Sequence, residues 1–320
     1  MIFPTDVFAF PISIGLKPMS SDAFTAPGRF FKGNLHTHST RSDGKLDPEE
    51  VCRRYRERGY DFLCLSDHFL KAYDFPLTDT TGYRSDRFTT ILGAELHANA
   101  TSGGDHWHIL AVGLPADFTP PSADETGPQL AERAYRAGAF IAIPHPEWYA
   151  LTIEDARTIA NAHAVEVYNH TSQVHCSRGG GSYFLDQMLI EGRKINALAC
   201  DDAHFNIPGD VERDAFGGWV MVKAEANEPE ALLAALKAGH YYSTQGPDIH
   251  DIRREGDELV VSCSPSAQIM LLGRHARSSF ASGADMTEAR LPLTRFTEGW
   301  GRLAVLDAAG RCAWSNPMWF

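Results

Sequence analysis

Short apolar runs alternate with amphipathic stretches from Phe31 to Pro247, and most of the runs end in polar residues. The stretch DPEEVCRRYRERG predicts a helix. Asp47 stands at the N-cap, Pro48 at the first helical position, Glu50 where it completes a capping box, and Gly59 at the stop. A short apolar strand, YDFLCLSDH, follows it. The unit recurs as QLAERAYRAG before AFIAIPH, as SYFLDQMLIEG before RKINALACDDAH, and as EPEALLAALKAG before HYYSTQGP, with Gly138, Gly192 and Gly239 as stops. TIEDARTIANAH is a further capped helix feeding AVEVYN. This alternation predicts an α/β fold on a parallel sheet or barrel, with working residues at the C-terminal ends of the strands.

The pattern changes after Pro247. Short alternating runs with turn signals and no helix predict a small, sandwich-like all-β module. Residues before Phe31 carry Pro, Ser and Gly and read as an extended arm. The expected organisation is an arm over 1–30, a barrel over 31–247 and a β-rich module over 248–320.

The strand ends carry the candidate chemistry. GNLHTHSTRSD supplies His36 and His38 two residues apart, a spacing that puts both side chains on one face of a strand, with Asp43 in the loop beyond. FLCLSDH supplies Asp67 and His68, and ILGAE supplies Glu95, whose two oxygens suit it to bridge two ions. Adjacent residues diverge, so His68 is the expected ligand and Asp67 a supporting or proton-relay group. In GGDHWHILAVG, His108 opens the apolar run and is preferred over His106 and His97. FIAIPH adds His145, while DDAH adds Asp202 and His204, with Asp201 as a neighbour. Glu166 in AVEVYN reads either as a supporting carboxylate or as a simple strand end. Arg178, in the loop after that strand, is a candidate clamp for an anionic group. Trp148 and Tyr149 either wall a pocket or pack.

Composition narrows the function. The net charge of −12 argues against broad nucleic-acid binding through a basic surface. Cys52, Cys64, Cys176, Cys200, Cys263 and Cys312 are scattered, which fits a reducing compartment better than a disulfide framework. The N-terminal stretch lacks a basic start and is broken by Pro4 and Pro11, so neither a signal peptide nor a membrane span is expected, and a cytoplasmic location is. A donor set of imidazole and carboxylate without thiolate favours Zn, Mn or Fe. The donors are too many for one tetrahedral ion, so two or three divalent ions are expected.

Taken together, HTHSTRSDG, SDH, GAE, HILAVG, IPHP and DDAH resemble the polymerase and histidinol phosphatase (PHP) superfamily of metal-dependent phosphoesterases. VEVYN, GGWVMVKA, YYSTQGPDI and AWSNP look like the branch that contains carbaryl hydrolase. The resemblance implies a distorted (β/α)7 barrel with a trinuclear site. It implies a first ion held by His36, His38, Glu95 and Asp202, a second by Glu95, His108 and His145, and a third by Asp43, His68 and His204.

The expected function is a metal-dependent hydrolase of a small-molecule phosphate ester, acting through a metal-bridging hydroxide. With the third site unoccupied, His68 or His204 is an alternative proton donor. The same centre acting on a carbamate, ester or amide carbonyl is the second reading, and a non-catalytic metal-binding regulatory protein a remote third.

Overall fold

The computed structural model describes residues 22–320. Of the arm expected over 1–30, residues 1–21 and the apolar N-terminal stretch lie outside the described residues. The remainder forms α1 (Asp22–Thr25) and the start of β1 (Arg29–Asn34). The chain continues through α2 (Pro48–Glu57), β2 (Phe62–Leu65), β3 (His68–Phe69), β4 (Thr89–Ala98), β5 (Trp107–Val112), α3 (Gly127–Arg136) and β6 (Phe140–Ile143). Then come α4 (Ile153–Thr158), β7 (Ala164–Asn169), α5 (His170–Cys176), α6 (Ser182–Ile190), β8 (Asn196–Cys200), β9 (Trp219–Ala224), α7 (Pro229–Ala238) and β10 (Tyr241–Thr244). The rest is strand: β11 (Ile249–Glu255), β12 (Glu258–Gly273), β13 (Ser278–Pro292), β14 (Trp300–Leu306), β15 (Cys312–Ser315) and β16 (Met318–Trp319).

The predicted helices form, but α4 stops at Thr158, short of the stretch to His163 that the sequence predicted. The Asp47 carboxylate accepts from Glu50 N at 2.9 Å, but Glu50 turns to Arg53 and Arg54 and leaves the reciprocal half of the box unmade. The full capping box is at α3, between Thr126 and Gln129. Gly239 ends α7 at φ 75°, a conformation that would strain a residue with a side chain. Helix α5 stands where the sequence predicted a loop, and the Asn169 side chain caps it by accepting from Ser172 N.

The sheet is mixed where a parallel one was expected. β1, β2 and β4 are mutually parallel, as are β6, β7 and β8, but β5 is antiparallel to both of its neighbours. The reason is local: β4 and β5 are joined by a turn without a helix, and parallel neighbours need a crossover. β9 and β10 are also antiparallel.

The expected barrel does not close by a strand ladder. β8 ends the sheet, and its backbone is satisfied by side chains: Ala199 N donates to Ser243 Oγ, Ser243 Oγ donates to Ala197 O, and Ala197 N donates to Asn316 Oδ1. At the mouth the two ends meet as backbone. Thr37 bridges Ala203 in parallel, with His38 N donating to Ala203 O and Asp202 N to His36 O, both at 2.9 Å.

Strand alternation feeds two cores. Phe62, Leu110, Phe140, Leu198 and Val222 pack with Leu232 and Leu236 of α7, while Leu96, Ile109, Ile141, Val165 and Ala197 pack under α3 and α6. Beyond Pro247 the chain is β-rich, as expected, but the sheet continues into it. β15 pairs with β10 through Tyr242–Ser315, Ser243–Trp314 and Thr244–Ala313. Arg302 forks onto Asp186 of α6 at 2.7 and 2.8 Å. No helix among the described residues is long and apolar enough to cross a membrane.

Candidate metal centre

The two hydrogen bonds that sew β1's end to the segment after β8 set the site. They bring H-x-H and D-x-H side by side, and Asp202 Oδ1 lies 2.9 Å from His38 Nε2 and 3.1 Å from His36 Nε2. Asp202 takes φ 59° and His145 φ 26°, both costly for residues with side chains. Hydrogen bonds hold each in place: Asp202 N to His36 O, and His145 N to Glu166 Oε2 at 2.7 Å.

Glu95 lies inside β4 rather than at its end, and it is the hub. Its Oε1 is 2.7 Å from His108 Nδ1 and 3.0 Å from His145 Nε2. Its Oε2 is 2.6 Å from His68 Nδ1, 3.6 Å from His36 Nε2 and 3.7 Å from His38 Nε2. His108 reaches this point because β5 runs backwards, so its first residues, not its last, are at the mouth. On the far side, Asp43 Oδ1 is 3.4 Å from His204 Nε2 and 3.5 Å from His68 Nε2. His204 Nδ1 lies 2.7 Å from Asp202 O, which turns Nε2 outward.

All nine residues predicted as ligands therefore converge. The residues fall into overlapping groups with one atom each within 4.8 Å of the others: His38, Asp43, His68, His204; His68, Glu95, His97, His108; His36, Glu95, His145; and His36, His38, Asp202. A hollow of about 240 Å³ opens onto them, with Trp148, Thr171, Ser172, His175 and Asn206 completing its walls.

The electrostatics call for a cation. Glu166 Oε1 lies 2.8 Å from His36 Nδ1, which directs His36 Nε2 at Asp202 and Glu95. Yet His36 Nε2 and Glu95 Oε2 are both buried without a hydrogen-bond partner; the close His68 contact of Glu95 lacks hydrogen-bond alignment. A lone pair aimed at two carboxylates is repulsive unless a proton or a metal ion lies between them. Burial opposes charge on His36, but Asp202 and Glu166 outweigh it and raise its pKa well above the usual imidazole range. Burial likewise opposes charge on His68, and Glu95 pushes it up to about 10. Against burial, His108 and His68 hold the Glu95 carboxyl well below the usual range. The donor set fits divalent ions on this count.

Two predicted residues stand elsewhere. Both Asp67 oxygens are taken up, by Ser39 N, Ser39 Oγ, Ser42 Oγ and Thr78 Oγ1 at 2.7–3.2 Å, so Asp67 holds the loop after His38 and has no oxygen free for a relay. Arg178 is exposed and outside the hollow, donating to Trp148 O at 3.5 Å. A left-handed turn at Ser177, after α5, carries it there. Trp148 lines the hollow, while Tyr149 packs against His108 and His145 with ring centroids 5.2 and 5.6 Å apart. His97 joins the cluster although His108 was preferred to it. The signal was present: it follows Glu95 by two positions on a strand.

These features define an α/β protein with a buried acid–histidine cluster at one end of its sheet. Residues 34–195, half of the chain, match the PHP domain, and the chain belongs to that family. An uncharacterised protein of Methanocaldococcus jannaschii is 25% identical over 211 residues, 62% of this chain and 83% of that protein. The 5'-3' exoribonuclease Rnm of Escherichia coli is 32% identical over 109 residues, 34% of this chain and 36% of its own length. A Bacteroides vulgatus two-domain protein, described as containing a predicted PHP-like metal-dependent phosphoesterase, superposes with a TM-score of 0.53 at 16% identity, covering 88% of this chain and 93% of that one. The resemblance to the carbaryl hydrolase branch finds no support among these relatives.

Proposed function

We propose that this chain is a metal-dependent hydrolase of small-molecule phosphate esters. The observation that carries the reading is the convergence of Glu95 and Asp202 with His36, His38, His108 and His145, which leaves buried polar atoms unpaired beside an open hollow. His36, His38, Glu95 and Asp202 would hold one divalent ion, Glu95, His108 and His145 a second, and Asp43, His68 and His204 a third. Imidazole and carboxylate donors suit Zn, Mn or Fe. Bound ions supply Lewis acidity there, activating water and offsetting the charge that develops on the ester.

The chain's own groups do the rest. Glu166 and the Asp202 carbonyl fix the ring orientations of His36 and His204. Ser172 offers a hydroxyl to a non-bridging oxygen from the wall of the hollow, while the Thr171 hydroxyl donates to Asp202 O and holds that backbone in place. Where the third set holds no ion, His204, with Nε2 towards Asp43, is placed instead to hand a proton to the leaving oxygen as water adds to phosphorus and the P–O ester bond breaks. Phosphorus is favoured over carbonyl carbon by the match to Rnm, an exoribonuclease.

A substrate panel tests the reading. Phosphomonoesters, phosphodiesters and aryl carbamates are offered with Mn, Zn or Fe. Turnover of p-nitrophenyl phosphate or a phosphodiester is expected, and turnover of 1-naphthyl methylcarbamate alone would overturn the choice of phosphorus.

A further inference from the structure

His97 stands inside the cluster but outside the three sets proposed above. It follows Glu95 by two positions on β4 and sits opposite His108 in the β4–β5 register, so all three side chains share one face. The ring is 3% exposed. Its Nδ1 lies 3.0 Å from Trp107 O, and a carbonyl oxygen only accepts, so Nδ1 carries the hydrogen and Nε2 the lone pair. That lone pair meets His68 Nδ1 at 2.8 Å. Two lone pairs do not face each other at hydrogen-bond distance, so His68 Nδ1 carries a hydrogen in turn. His68 Nε2 is then the nitrogen open to a cation in place of a second hydrogen, 3.5 Å from Asp43 Oδ1 and grouped with His38 and His204.

We propose that His97 is a positioning residue. Anchored on the Trp107 carbonyl, it fixes His68 in the Nδ1–H tautomer, so that His68 Nε2 is presented to the Asp43–His38–His204 group as a donor atom for a divalent cation. Glu95 Oε2, 2.6 Å from His68 Nδ1, does not serve in this role, because that contact lacks hydrogen-bond alignment. This inference rests on the reading of that group as a cation site.

The test uses the full chain, with Zn²⁺ as the probe. In Zn²⁺-loaded protein labelled with ¹⁵N-histidine, His68 is expected as the Nδ1–H tautomer, and as a mixture or the other form in His97→Leu. His97→Leu should bind as many Zn²⁺ ions at saturation as the parent, with the weakest-held ion released 10–100-fold more readily. His97→Gln, whose amide oxygen takes the place of Nε2, should recover to within a few-fold and controls for misfolding. Loss of one whole ion in His97→Leu would make His97 a ligand and overturn the proposal. So would unchanged affinity in both variants, or a Gln variant that folds yet is no better than Leu. A parent chain that binds no Zn²⁺ sinks the cation-site reading and the proposal with it, whereas a parent that binds while both variants match it sinks the proposal alone.

Discussion

Glu166 and His36 meet at 2.8 Å with neither side chain reached by solvent, and the other Glu166 oxygen accepts from His145 N and Asn169 Nδ2. One carboxylate thus orients a ring on one strand end and pins the strained backbone of another. Replacing it with Gln keeps an acceptor but removes the charge that keeps the His36 hydrogen on Nδ1. Glu166→Gln is expected to weaken metal affinity about 10–100-fold with the fold intact. Competition with a chromophoric chelator measures this, and an unchanged affinity would remove Glu166 from the support of the site.

His38 lies between two of the groups, 2.9 Å from Asp202 Oδ1 and with its ring 4.3 Å from those of His68 and His204. His38→Ala is therefore expected to reduce turnover by more than the roughly 10–100-fold typical of supporting residues, and to lower the number of bound ions. Full turnover in this variant would refute the proposed centre.

His163 gives a pH signature away from the cluster. Its Nδ1 accepts from Ile141 N at 3.0 Å, and its ring stacks on Phe140. Burial, and then Lys237, push its pKa down to about 4. The unfolded chain, with an ordinary value near ~6.5, binds the proton first, so stability is full above that pH and declines as pH falls towards 4. Solvent screening at this half-buried position limits the loss to about 1–2 kcal/mol. Denaturant titrations at pH 7 and pH 4.5 should show a smaller drop for His163→Asn than for the parent.

Arg302 carries the contact between β14 and α6. It is buried and meets Asp186 through a two-point fork. Arg302→Ala strands a carboxylate in a half-buried place and is expected to cost roughly 2–4 kcal/mol in urea unfolding. A midpoint within error of the parent would show that the fork contributes nothing.

The repeated unit of helix, glycine stop and apolar strand made the α/β plan legible, and ligand-type residues after the strands made the nine-residue cluster legible. What sequence periodicity does not encode is strand direction. The reversal of β5 comes from the absence of a helix between Ala98 and Trp107, and it places Glu95 in mid-strand and brings His97 to the site. Asp67 takes the supporting one of its two expected roles, whereas Arg178 stands away from the hollow; in both cases neighbours decide, Ser39 and Thr78 for the one and Trp148 for the other. The sheet's failure to close was equally hidden, because Ser243 and Asn316 look like ordinary strand-end polar residues.

Those two side chains have a further consequence. A fragment ending at Pro247 would keep every proposed ligand and Ser243, yet it would lose Asn316 and the β15 partner of β10. Two stretches of unpaired backbone would then be open to other chains, which is the usual start of aggregation. The residues beyond Pro247 thus act as the seam between the two ends of the sheet: the proposed ligands all lie in the first three-quarters of the chain, and the last quarter covers the backbone that those strands leave open.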